Sequence, residues 1–196
     1  MMRGKRVKEL CSDFVRVEGI FSMENLDFLI RALDKSEDER YEALSYIYVR
    51  EINGELIGEA RDRHRLHRIG KLGSNLWKHI TPGVYGVVEV KKREARLGRL
   101  PDEYVSKFIV PDTDSAFPKG DPVCEIEYAG FSKTDTTQSS INLIRFVREL
   151  PVMVDVTFLQ DLGSKQWKCK CYGRGMPLVF EAGDMLALVA SIREKG

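Results

Sequence analysis

Apolar and polar positions recur along the chain with two different periods, and the periods divide it into helical and extended stretches. Over residues 23–34, Leu26, Leu29, Ile30 and Leu33 fall on one helical face, with Ser22 placed to cap it. Ser36 and Glu39 have capping-box spacing for a short helical turn leading into Tyr41. Residues 43–52 (ALSYIYVREI) read as a strand and 55–59 as its return. Asn53-Gly54 between them suits a type I′ turn, which needs positive φ at both central positions. The spacing predicts a helix over 62–80, through Leu66, Ile69, Gly73, Leu76, Trp77 and Ile80, stopped by Thr81-Pro82-Gly83.

Further strands are expected at 84–91, 104–110, 123–131, 152–160 and 166–172, with 94–103 as a loop. Asp161-Leu162-Gly163-Ser164 would turn the last two into a hairpin. A helix over 140–150 ends before Pro151, which disfavours helix at the residue ahead of it. A C-terminal helix is expected over 184–194, with Met185, Leu188, Val189 and Ile192 inward. Strands gathered into hairpins with helices between them predict an α+β fold: one domain, a mainly antiparallel sheet, and helices packed against it. Residues 1–22 read as a basic arm or loosely held segment, 23–196 as the domain, and 111–122 (PDTDSAFPKGDP) as a mobile loop within it.

Charge changes this picture more than composition does. The total is +1, but residues 17–60 carry −7, residues 61–100 carry +8 and residues 101–161 carry −6. Blocks of this size either fold against each other and cancel, or leave a dipolar surface that meets an anionic partner. The second outcome makes candidates of Arg3, Lys5, Arg6 and Lys8 in the arm. It also makes candidates of Arg61, Arg63, Arg65, Arg68, Lys71, Lys91, Lys92, Arg93 and Arg96 in the central block. No stretch approaches the length and apolarity of a membrane span, and no secretory signal is expected. Four scattered Cys in 196 residues do not form a disulfide framework, so a reducing intracellular setting is expected.

Catalytic patterns are weak, and the chain is expected not to be an enzyme. His64 and His67 are three apart, but no third ligand stands at the right spacing and several Arg surround them. Cys169-x-Cys171 places two thiols on one face of a strand, which is two ligands short of a structural zinc site. Asp112, Asp114, Asp121, Glu125 and Glu127 suit solvated turns better than a nuclease metal site. No phosphate loop, dinucleotide fingerprint or nucleophile elbow occurs. No cofactor, metal or small-molecule substrate is therefore expected.

Two resemblances suggest binding functions. Ile69 to Ile80, with Gly70, Lys71 and Gly73, resembles the G-x-x-G loop and following helix of KH domains. That resemblance implies single-stranded RNA binding at this loop. Leu72 departs from it, being apolar where a small or polar residue is usual. Arg40-Tyr41-Glu42, Trp77-Lys78-His79, Tyr85 to Val90 and Leu162 to Trp167 fall in an element order that resembles rhabdovirus-type matrix proteins over about residues 41–175. No Pro-Pro-x-Tyr budding motif is present.

The matrix resemblance implies a non-enzymatic protein of virion assembly and budding. It would self-associate into a homo-oligomer, condense the viral nucleocapsid or its RNA, and bind anionic lipid peripherally. Its location would be the virion and the host cytoplasm or inner membrane face, with a nuclear phase also possible. Phe117, the one aromatic in the 111–122 loop, would anchor the contact between copies.

Overall fold

A computed structural model describes residues 7–36, 38–72, 77, 79–109 and 112–192. Its ten strands are antiparallel and several helices pack on them, which is the α+β class expected. Chain contacts group the residues into two compact units, one of 1–63 with 68–111 and the other of 64–67 with 112–196. Among the described residues no helix is long and apolar enough to cross a membrane.

In the first unit, β1 (Asp13–Glu18) leads into helix α1 (Ile20–Arg31). A 3-10 segment, Glu39–Ser45, comes after it, with the Asp38 side chain accepting from the Arg40 backbone N–H at 3.0 Å. Next come β2 (Ile47–Ile52), β3 (Glu55–Arg61), β4 (Arg65–Ile69), β5 (Gly83–Val90) and β6 (Glu94–Arg99). A short helix, α2 (Asp102–Val105), closes the unit. The strand order is β1-β6-β5-β2-β3-β4. The Asn53-Gly54 turn forms as expected, with φ of 54° and 80°.

Two glycines explain how this unit closes over its N-terminal residues. Gly86 on β5 and Gly98 on β6 are directly paired, leaving a pit in the sheet. Val7 and Cys11 fill it: a Cβ at Gly86 would stand 2.5 Å from Val7, and one at Gly98 would stand 2.8 Å from the Cys11 Sγ. Around them cluster Tyr46, Tyr48, Val84 and Leu100, with Leu10, Phe14, Tyr104 and Phe108. The other side of the core is set by α1, whose Leu26 and Leu29 are fully buried. Gly58 on β3 lets Leu29 and Leu72 approach the sheet closely.

In the second unit, β7 (Cys124–Tyr128) precedes helix α3 (Thr136–Glu149) and helix α4 (Val156–Asp161). Strands β8 (Trp167–Cys171), β9 (Leu178–Ala182) and β10 (Met185–Val189) complete it. The order is β4-β10-β9-β8-β7, with residues 64–67 supplying the part of β4 that belongs here. Asp135 caps α3 by accepting from the Gln138 N–H at 3.1 Å, and α3 buries Ser139, Leu143 and Phe146. Phe146 meets Tyr128 and Phe180 with ring centroids 4.6 and 6.0 Å away.

Several expectations fail for identifiable reasons. Of the helix expected over 62–80, residues 65–69 are β4 and Leu72 lies in a turn, while 73–76 and 78 lie outside the described residues. Leu66 packs with Val179 and Leu188, while Leu72 packs at Gly58, so helix-like spacing arises from separately buried segments. Residues 94–99 are strand, not loop, and 13–18 in the expected arm pair along all of β6. Residues 104–110 are not a strand: Tyr104, Val105 and Phe108 reach the core from α2 and the turn after it. Residues 152–160 enter α4 instead, because Asp155 accepts from the Thr157 N–H at 2.9 Å and starts a helix there. The C-terminal helix is the β9–β10 hairpin, turned at Gly183 with φ 61°.

Filling the sheet pit should destabilise the first unit. Gly86→Val would collide with Val7, and overpacking of this kind costs about 1–3 kcal/mol. Chemical denaturation of the variant should show that loss, whereas a loosely held arm would move aside and leave the midpoint unchanged.

Candidate nucleic-acid interface

Most of the central basic block is consumed inside the fold. Arg68 on β4 reaches Glu59 on β3 at 2.6 Å, and Arg50 on β2 reaches the same carboxylate at 2.9 and 3.0 Å. Glu59 is almost wholly buried, so both guanidiniums are needed to offset its desolvation. Arg63 lies 4.6 Å from the centroid of the Tyr41 ring and 3.4 Å from the Asp34 carboxylate. Arg65 pairs with Asp161 and lies over Phe158, against which His64 also stacks. Arg61 is half-buried, and desolvation pulls its pKa below the ordinary arginine value. The −7 and +8 blocks thus cancel locally through Asp34, Glu59 and their arginines.

The rest of the predicted cations scatter. Lys91 pairs with Glu94 at 3.1 Å and Glu89 at 3.4 Å, and Arg96 lies 3.9 Å over the Phe14 ring. Lys8, Lys71, Lys92 and Arg93 are exposed. Arg3, Lys5 and Arg6 lie outside the described residues, as does Gly73. Gly70 is half-buried just past the end of β4. Phe117 is half-buried against the Leu66, Val179 and Leu188 cluster.

Sequence reasoning passed over the helix that presents the clearest cationic stripe. On α3, Gln138, Ile141, Arg145 and Arg148 recur at helical spacing on the face opposite Leu143 and Phe146, and all four are exposed. Arg145 and Arg148 make no ion pair among the described residues. The signal was present as the i, i+3 repeat of the two arginines, but the −6 total of residues 101–161 concealed it. By contrast, the outward stripe of α1 runs Ile20, Glu24, Asp27 and Arg31, with Arg31 paired to Asp27. Together with Val90, Lys91, Lys92 and Arg93, α1 borders a groove of about 860 Å³.

The described residues assemble no metal centre. No group of three His, Cys, Asp or Glu is placed to hold a metal ion there. His67 is buried, His64 is stacked and His79 is exposed with φ 65°. Asp112 accepts from the Asp114 N–H at 3.0 Å within the loop, Glu125 pairs with Lys168, and Glu127 accepts from Gln166.

This backbone arrangement has close parallels among solved structures. A DNA polymerase sliding clamp from Bacillus subtilis superposes with a TM-score of 0.57 at 12% identity, covering 93% of this chain and 64% of that one. The DNA polymerase III beta chain of Streptococcus pneumoniae gives 0.60 at 14% identity, covering 94% and 66%. The Helicobacter pylori beta clamp bound to a DNA ligase peptide gives 0.55 at 11% identity, covering 92% and 65%. The chain has the sliding-clamp fold.

It spans about two thirds of the length of those clamps. No protein-family profile matches the sequence, and no curated protein matches it. The clamp fold overturns the matrix-type expectation, and with it virion assembly, the nucleocapsid and lipid partners, and the virion or membrane location. It equally overturns the KH-type reading at Gly70. The resemblance to matrix proteins rested on element order, and four of the elements that set that order were misassigned.

The buried carboxylate makes a direct prediction. Glu59→Ala leaves Arg50 and Arg68 without their shared anion in a dry site, which should cost about 3–5 kcal/mol. Urea denaturation should report that loss; a change below about 1 kcal/mol, the range of exposed pairs, would mean that water already screens the cluster.

Proposed function

We propose that this chain is a non-catalytic, clamp-type protein that associates with duplex DNA and supports DNA-acting enzymes held on it. The observation carrying this reading is the clamp fold itself, which extends over more than nine tenths of the chain. The solved clamps are components of DNA polymerases, and one is bound to a peptide of a DNA ligase. The chain would act at replicating DNA.

The α3 stripe supplies chemistry suited to the DNA backbone. Arg145 and Arg148 are exposed and uncommitted, and guanidiniums bind phosphate oxygens through forked donors. Gln138 and Asn142, hydrogen-bonded to each other at 2.9 Å, add neutral polar groups to the same face. Contacts of this kind position a protein on DNA without reading its sequence, which is the behaviour a moving clamp requires.

Arg145→Ala with Arg148→Ala should weaken duplex binding about tenfold at low salt while leaving stability within about 0.5 kcal/mol, since both sites are exposed. Fluorescence anisotropy across a salt series should show the log–log slope become shallower by about 2, one unit for each phosphate no longer neutralised. A chain that ignores duplex DNA at low salt, or a double variant that binds as the unaltered chain does, would defeat this reading. Retention on circular DNA through a high-salt wash, abolished when the circle is cut, would separate clamp-type association from ordinary charge attraction.

A further inference from the structure

The second unit gathers three of the four cysteines on one patch of sheet. Cys124 on β7 stands directly opposite Cys171 on β8, and Cys169 lies two residues before Cys171, on the same face. All three are free thiols in the structure. Directly opposed residues of antiparallel strands hold their Cα atoms about 4.5 or 5.5 Å apart, with Cβ atoms on the same side. Both distances fall within the range of about 4.4–6.8 Å that a disulfide spans. Cys169 and Cys171, by contrast, are separated along a strand by about 6.7 Å, at the limit of that range.

Access and chemistry differ between the members. Strand β7 is the last in the order, so Cys124 lies on a sheet edge, and it is half-exposed. Cys171 and Cys169 are fully buried. Cys171 is held below the ordinary thiol pKa because the Cys169 thiol donates to it, and the Cys124 thiol does so as well. Cys169 is correspondingly raised by its bond to Cys171 and by burial. Burial and the bond to Cys171 raise Cys124. One accessible thiol therefore sits beside a buried sulfur predisposed to carry negative charge, so the accessible sulfur has an acceptor for its proton at hand.

We propose that Cys124 and Cys171 form a reversible thiol–disulfide exchange site, reactive toward small-molecule disulfides, that bridges β7 to β8. Cys171, having given its own proton to solvent, takes the proton of Cys124 as Cys124 attacks one sulfur of the small disulfide and expels the other as a thiolate. That thiolate takes the proton back from Cys171. The Cys171 thiolate then attacks the Cys124 sulfur, the mixed disulfide breaks, and the second small thiolate leaves and is protonated by solvent. Two protein thiols become one disulfide, while one small disulfide becomes two thiols. The bridge fastens the edge strand to its neighbour, and excess small thiol reverses it.

The test uses the reduced full-length chain incubated with oxidised glutathione, digested without reduction and analysed by mass spectrometry. The expected product links the peptides containing residues 124 and 171, disappears with dithiothreitol, and raises the melting temperature by several degrees. Cys171→Ser should retain glutathione on Cys124, Cys124→Ser should react at least tenfold more slowly, and Cys169→Ser should still form the bridge. The unaltered chain decides the matter even if a serine variant folds poorly. A persistent glutathione adduct on Cys124, a Cys169–Cys171 bridge, or reaction only in denaturant would each overturn the proposal. DNA binding enters none of these readouts, so the exchange site stands or falls independently of the clamp reading.

Discussion

A buried carboxylate governs how this chain pairs its strands. Glu59, on β3, is held by Arg50 from β2 and Arg68 from β4, so one anion stitches three adjacent strands. An ion this deeply buried is tolerated only with its partners in place, and any slip of register would strand it. Fixing β4 in this way also fixes the apolar residues near its two ends. Leu66 is delivered into the second unit's cluster with Val179 and Leu188, and Leu72 is delivered over Gly58 in the first. The strongly segmented charge of the sequence is, in large part, the requirement for this pairing.

That use of charge explains why the basic block misleads as a binding surface. A run of arginines near His64 and His67 looks like an electrostatic patch when read in one dimension. Folded, Arg63, Arg65 and Arg68 each face a carboxylate or an aromatic ring, and each is spent on internal structure. The surface that remains cationic comes from a segment whose total charge is negative. On α3 the acidic residues of that segment lie elsewhere, apart from Glu149 at its end, and the two arginines stand alone on their stripe.

Legibility tracked the locality of each signal. Asn53-Gly54 and the apolar faces of α1 and α3 depend on residues within one turn or one helix and form as expected, although α1 starts at Ile20 with Ser22 inside it and not capping it, and α3 starts at Thr136. Strands β6 and β10 depend on neighbours far away in sequence. The alternation in β6 is broken by Gly98, whose missing side chain is explained only by Val7 and Cys11 above it. The run MLALV in β10 is buried almost continuously, and a short apolar run of that kind has no period to distinguish strand from helix. The α4 turn needed Asp155 recognised as a cap, a one-residue signal beside an apparent strand. The clamp fold itself was not legible, since identities of 11–15% preserve the pattern of burial without preserving letters. The candidate DNA-facing arginines were legible as spacing, yet averaging charge over long segments erased them.

The two main helices are alike in packing and opposed in surface chemistry. Both bury an apolar face on the sheet of their own unit, with Leu26 and Leu29 on α1 and Leu143 and Phe146 on α3. Outward, α1 offers Glu24 and Asp27, and its one cation there, Arg31, is paired to Asp27. Phosphates brought within about 8 Å, the Debye length at physiological ionic strength, would be repelled by that stripe and attracted by Arg145 and Arg148. The exposed Ile20 and Phe21 at the start of α1 belong to a surface of different chemistry from the α3 stripe.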